Sequence, residues 1–154
     1  MDAEKKLAEL GLELPPIPTP VANYVPAVRV GSLLFLSGHG PGLLKDGQVQ
    51  FIQGKVGGEL TVEQGYEAAR QVMLNLLQTL KQELGDLDRV KRVVKLLGFV
   101  NCAEDFQQQP QVINGASDLL VELYGERGRH ARSAVGMYQL PFNIAVEIEM
   151  IVEV

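Results

Sequence analysis

One arginine and one glutamate occupy a stretch that otherwise reads as sheet interior. In "HARSAVGMYQLPFNIAVEIEM", His130 to Met150, Arg132 is followed by small residues and a Leu-Pro turn, and Glu147 sits among valine and isoleucine. Charged groups in such surroundings are paired or used. A guanidinium offers a planar fork of donors that suits a carboxylate, and a glutamate can take a proton from water as a general base. Pairing the two segments antiparallel about Gln139-Leu140 predicts Arg132 opposite Glu147. Arg132, Ala134, Gly136, Ala145, Glu147 and Glu149 then share one face, where the small residues leave room for a ligand. The other face, Ala131, Ser133, Val135, Met137, Ile144, Val146, Ile148 and Met150, would pack under helices. The plainer alternative is a salt bridge between Arg132 and Glu147, or an intersubunit ion pair, with no chemistry attached.

Those strands need a scaffold, and the rest of the chain supplies its elements. "YVPAVRVGSLLFLSG" gives two apolar runs hinged at Gly31-Ser32, a β-hairpin pattern. The glycine-rich "GHGPGLLKDGQVQFIQGKVGG" reads as loop with at most a short strand near Val49 to Ile52. Thr61-x-x-Gln64 is a capping box, after which Tyr66, Ala69, Met73, Leu76, Leu77, Leu80 and Leu84 repeat at helical spacing up to Gly85. "VKRVVKLLGFVNC" is rich in β-branched residues and predicts a buried strand. Val112, Ile113, Ala116, Leu119, Leu120 and Leu123 mark a second amphipathic helix ending at Gly125. Residues 1–22 read as a leader, a short helix through Ala3, Leu7 and Leu10 followed by a Pro-rich segment, with too few apolar side chains for the main core. Residues 23–154 form the domain. The element order gives an α+β fold, a mixed sheet with two helices on one face, whose bare face needs a partner subunit.

Composition narrows the function classes. A net charge of −5, with no lysine-arginine run to offset it, argues against nucleic acid and anionic lipid as partners. Cys102 is the only cysteine, which fits a reducing compartment. No segment reaches the roughly 20 apolar residues of a membrane span, and "MDAEKKLAELGLELPP" lacks a signal-peptide core. The expectation is a cytoplasmic protein without membrane association. "GHGPG" lacks the ending of a phosphate loop, and no cysteine-histidine spacing suggests a metal or other cofactor.

The run "ARSAVG...LP...VEIEMI", the opening "YVPAVRVGSLLFLSG" and the trio Asp105, Phe106 and Asn114 resemble the YjgF-type reactive-intermediate deaminase (Rid) family, whose older name is the L-PSP endoribonuclease family. The resemblance covers Asn23 to Val154. It implies a chorismate-mutase-like (bacillus-type) fold, assembled as a homotrimer whose sheets line a central barrel. It also implies clefts between subunits that bind 2-imino or 2-enamino acids, which water converts to 2-keto acids and ammonia. Carried onto this chain, Arg132 holds the substrate carboxylate and Glu147 orients or activates the water. Tyr24, Ser37 and Asn114 line the cleft, and the backbone carbonyl of Ala134 helps place the water. The chain departs from the family pattern in carrying Ala134 where many members have cysteine, and His39 where many have glutamine after Ser-Gly.

His39 either contacts ligand or caps its turn. Cys102 reads as a packed thiol, and His130, in "GERGRHAR", as exposed loop. Two other functions stay open: a non-catalytic trimer binding small carboxylates or keto acids, which needs Arg132 but not Glu147, and an endoribonuclease, which the acidic charge disfavours.

Overall fold

The computed structural model of the chain describes residues 2–16 and 22–154. Residues 17–21 of the Pro-rich leader lie outside the described residues. The hinge at Gly31, where φ is +60°, joins β1 (Ala27–Val30) to β2 (Leu33–His39) as an antiparallel hairpin. The glycine-rich stretch expected to be mostly loop forms a second hairpin instead, β3 (Gly42–Lys45) and β4 (Gln48–Phe51), turning through Asp46 and Gly47 at positive φ. Asp-Gly is a strong hairpin turn, and that dipeptide carried the signal.

The capping box holds at the start of α2 (Val62–Leu84). The Gln64 backbone N–H donates to Thr61 Oγ1 at 3.1 Å, and the Thr61 N–H donates to Gln64 Oε1 at 2.9 Å. Gly85 ends it in the left-handed region, where a missing Cβ removes the strain. β5 (Arg92–Asn101), α3 (Gln109–Tyr124) and β6 (Ala131–Met137) follow, then β7 (Val146–Glu153). The two long helices sit close because position 115 is glycine: a Cβ there would lie 2.0 Å from the Tyr66 carbonyl oxygen.

The main sheet has five strands in the order β1-β2-β7-β5-β6. All its pairs are antiparallel except β5 with β6, which run parallel. This corrects the expected terminal hairpin, because β6 and β7 are not neighbours: β5 lies between them. The physical reason is α3, which acts as the crossover of a strand-helix-strand unit and returns the chain parallel to β5 on its outer side. Val146, Ile148, Met150 and Val152 of β7 face the helices and are buried, as their apolar alternation predicts. The opposite sheet face leaves Val28, Val30, Phe35 and Val135 exposed.

The loop from β6 to β7 therefore travels over the end of β5, and Lys55 and Asn101 hold it there. The buried Asn101 amide donates to Asn143 Oδ1 at 3.0 Å and to the Ile144 carbonyl at 3.1 Å, while Lys55 Nζ donates to Asn101 Oδ1 at 2.9 Å and to the Tyr138 carbonyl. Phe142 and Asn143, both at positive φ, are pinned by Gln53 Nε2 on the Phe142 carbonyl at 2.7 Å and the Gly54 N–H on the Asn143 carbonyl at 2.9 Å. Among the described residues, no helix is long and apolar enough to cross a membrane.

α1 (Ala3–Glu9) departs from the expected role of the leader. Ala3 and Leu7 belong to the buried core, and Leu10, Leu12 and Leu14 pack against it. Asp2 caps the helix on the Lys5 N–H, the Ala3 N–H donates to Asp88 Oδ1 at 2.9 Å, and Lys81 reaches Glu4. About two turns of helix suffice, because its few apolar residues all point one way. Leu7→Ala should lower unfolding stability by about 2–3 kcal/mol in urea titration, the low end for a buried leucine. A change below a few tenths of a kcal/mol would show that α1 is not part of the cooperative unit.

Candidate functional site

Arg132 is the second residue of β6 and pairs with Leu96, whose side chain is buried under the helices. Side chains alternate along a strand, so Arg132, Ala134 and Gly136 all face α3. Arg132 Nη1 donates to Asn114 Oδ1 at 2.8 Å and to Ser117 Oγ at 3.1 Å, both on α3. Both Nη1 protons are thereby used. Nε and Nη2 make no hydrogen bond among the described residues, which leaves the Nε–Nη2 edge of the fork for a carboxylate. Beyond Arg132 on the same face come Ala134, packed against the core, and Gly136. A Cβ at Gly136 would lie 2.8 Å from both Cys102 Sγ and Gln109 Nε2, so this glycine admits those two side chains. Cys102 is a packed, half-buried thiol, as its apolar strand suggested.

Glu147 pairs with Phe99, which in turn pairs with Val135. That register puts Glu147 on the other face of the sheet, away from Arg132. The expected juxtaposition within one chain is corrected accordingly, and so is the salt bridge within one chain: among the described residues the two form no ion pair. Glu147 lies against β2 instead, where a Cβ at Gly38 would come within 2.8 Å of its Oε2. The glycine lets the carboxylate settle against the strand in this position, which a side chain there would crowd. Burial, with the neighbouring Glu149 adding repulsion, pushes the Glu147 carboxyl above the ordinary glutamate value of 4.5.

Ser37 and His39 lie on β2 and Tyr24 just before β1, with His39 turned to the helix face of the sheet and not to the face of Glu147. Ser37 donates its hydroxyl to the Val25 carbonyl at 2.7 Å, fixing the segment that displays Tyr24, which is 62% exposed. His39 follows an irregularity in the β2–β7 register. Its Nδ1 lies 2.6 Å from the Ser37 carbonyl and its Nε2 2.8 Å from Thr79 Oγ1. The carbonyl can only accept, so Nδ1 carries the proton and Thr79 donates to Nε2. Burial lowers the His39 pKa, in keeping with a neutral ring that ties β2 to α2. Tyr24, Ser37, His39, Leu43, Phe51 and Phe142 line a mostly apolar cavity of about 350 Å³.

The chain thus carries two half-sites. One, around Arg132 and Asn114, lies at the β6 edge on the helix side. The other, around Glu147, Gly38, Ser37 and Tyr24, lies toward β2, three strand spacings or roughly 14 Å away from β6. Sequence reading missed Ser117 and His130 beside Arg132. His130 was expected in solvent, yet it is half-buried, with Nε2 2.9 Å from Ser117 Oγ and Nδ1 2.7 Å from the Gly128 carbonyl. Its spacing from Arg132, two residues along one strand edge, was the available signal. Among the described residues, no group of three or more histidine, cysteine, aspartate or glutamate side chains is placed to hold a metal ion.

Similar proteins share both fold and sequence. The chain is 47% identical over 148 residues to Protein TCP17 of Trypanosoma cruzi, covering 96% of this chain and 91% of that protein. The crystal structure of the protein Atu1372, of unknown function, from Agrobacterium tumefaciens is 45% identical with a TM-score of 0.88, covering 99% of this chain and 93% of that one. A crystal structure from Shewanella oneidensis MR-1, described as a "putative endoribonuclease", superimposes with a TM-score of 0.93 at 37% identity over the whole of both chains. The model of one family matches residues 4–154, and on that match the chain belongs to the family described as "YjgF/chorismate mutase-like, putative endoribonuclease".

Proposed function

We propose that the protein is a homotrimeric hydrolase of reactive 2-imino and 2-enamino acids, releasing ammonia and leaving the 2-keto acid. The observation that carries this reading is the Arg132 guanidinium, fixed on one side by α3 and left with an open two-donor edge beside small residues. A carboxylate is the group that such an edge recognises. Glu147 supplies the second requirement, a carboxylate whose raised pKa makes it a better base. The two stand on opposite faces of one sheet, so a single substrate meets both only at a boundary between copies. The apolar side chains exposed on the sheet face supply the surface for that contact.

In this mechanism Arg132 of one subunit holds the substrate carboxylate while Asn114 holds Arg132. Water attacks the imine carbon, and Glu147 of the adjoining subunit takes the proton as the new C–O bond forms. Glu147 passes that proton to the nitrogen of the tetrahedral carbinolamine, then takes up the hydroxyl proton as the C=O bond forms and the C–N bond breaks; ammonia leaves, the proton that the protonated imine brought in returns to solvent, and there is no net change in redox state. The Ala134 carbonyl, on the edge strand, helps place the water. Tyr24 and Ser37 border the cleft from the Glu147 side. A non-catalytic carboxylate binder would use Arg132 in the same way and leave Glu147 without a task. Ribonuclease chemistry would have to work against a net charge of −5.

Ammonia release from freshly generated imino acids, measured as acceleration over the uncatalysed blank, tests the proposal. Arg132→Ala should reduce kcat/KM by roughly 100-fold or more, the loss of two charge-assisted hydrogen bonds. Arg132→Lys should also be poor, since an ammonium cannot reproduce the fork. Both should fold normally. Wild-type rates indistinguishable from the blank would leave only the binding reading.

The pH profile provides an independent check. A protonated Glu147 cannot accept a proton, so kcat/KM should rise as pH climbs through its raised pKa, with the acid limb above 4.5. Glu149→Gln removes the repulsion and should move that limb down, though not fully, because burial is the larger cause. Glu147→Gln should lower kcat more than affinity without loss of stability. A carboxyl with a folded pKa above its unfolded value binds protons more tightly in the folded state, so its charge works against folding as pH rises. Thermal unfolding of Glu147→Gln at pH 7 checks this, and a marked drop would point to a structural role.

A further inference from the structure

We propose that Ser117 and His130 are positioning residues that hold Arg132 with its Nε–Nη2 edge turned outward, through a hydrogen-bond relay anchored on the Gly128 carbonyl. The proposal rests on the reading of Arg132 as the carboxylate clamp. It concerns two residues that neither touch the substrate in that reading nor belong to the expected site.

The direction of the relay follows link by link. A backbone carbonyl only accepts, so the 2.7 Å contact between Gly128 O and His130 Nδ1 places the proton on Nδ1. In a neutral ring Nε2 is then an acceptor. Its 2.9 Å partner, Ser117 Oγ, must donate its single proton there. The lone pairs of Ser117 Oγ are left to receive Arg132 Nη1 at 3.1 Å, and Asn114 Oδ1 receives the other Nη1 proton at 2.8 Å. The guanidinium cannot turn about its last torsion without breaking both bonds. Burial foremost, and the nearby Arg132 charge, lower the His130 pKa, in agreement with a neutral ring.

The anchor is rigid. Gly128 ends the turn Gly125–Gly128 that follows α3, and it is pressed so closely on the helix that a Cβ would lie 2.2 Å from the Leu120 carbonyl oxygen. The carbonyl that sets the polarity of the relay is thus held by α3 itself, the same helix that carries Ser117 and Asn114. Arg132 is oriented entirely by one helix and the turn that closes it.

Calorimetric titration of the full-length protein with pyruvate and 2-oxobutyrate tests the relay. Arg132→Ala should abolish measurable binding. Ser117→Ala should raise Kd roughly 5- to 10-fold, the cost of re-immobilising a freed side chain, with kcat largely kept once substrate saturates. His130→Ala should act in the same direction, and the Ser117→Ala/His130→Ala pair should be no worse than Ser117→Ala alone, because His130 acts only through Ser117. Ser117→Thr, which restores the hydroxyl, should recover most of the affinity. In ligand-free protein, NMR should show slow rotation of the Arg132 Nη1 group, lost in Ser117→Ala. Arg132→Ala binding like wild type would overturn the clamp and the relay with it. Arg132→Ala losing binding while Ser117→Ala retains it, or additive losses in the pair, would overturn the relay alone. Should neither keto acid bind wild type, fast Nη1 rotation in the wild type would still refute it.

Discussion

Everything at the candidate site depends on the crossover that α3 makes between β5 and β6. Because that crossover lays β6 parallel to β5 on its outer side, β5 separates the strand of Arg132 from the strand of Glu147. The register then decides which face each residue takes. Arg132 turns in beneath α3, where Asn114 and Ser117 grip it, and Glu147 turns out toward Gly38. Among the described residues, neither side chain forms an ion pair. Leaving two partly buried charged groups without an opposite charge carries a desolvation cost, which the proposed ligand and adjoining subunit would offset.

The same logic explains the unusual number of polar anchors near the end of β5. A loop that must pass over a strand end cannot use a two-residue turn, so its carbonyls need other donors. Asn101, Lys55 and Gln53 provide them, and they hold Phe142 and Asn143 at positive φ, a conformation that asparagine tolerates and a bulky phenylalanine does not readily adopt. His39 performs a comparable service at the other half-site. Its two nitrogens join β2 to α2 and give the cavity beside Tyr24 a firm wall. These polar side chains position other groups, whereas Arg132 keeps an unpaired donor edge and Glu147 has no hydrogen-bonded partner among the described residues.

Much of this was legible in the residues. The capping box of Thr61 and Gln64, the leucine repeat of α2 and the glycine stops at 85 and 125 mark the helices closely, because caps and periodicity are local. The types Arg132 and Glu147 were legible as well, since charge in an apolar strand stands out. Their geometry was not. Reading the last two strands as a hairpin used sequence neighbourhood as a guide to pairing, whereas the strand-helix-strand order of β5, α3 and β6 favoured a parallel pair. One parallel insertion was enough to move Glu147 to the far face. His130 escaped for a related reason: its partners Ser117 and Gly128 come from the helix and turn before it, and only the packing of that turn on α3 brings them together.

The central claim is that one site needs Arg132 from one chain and Glu147 from another, and subunit mixing tests it most directly. Arg132→Ala and Glu147→Gln proteins, each inactive alone, would be unfolded together in equal amounts, refolded and assayed for ammonia release from imino acids. In a ring of heterologous contacts, random assembly rebuilds an intact site at about a quarter of the boundaries. The account therefore predicts recovery of about a quarter of wild-type activity. Activity no higher than that of the two separate mutants, from mixed trimers shown to have formed, would contradict it.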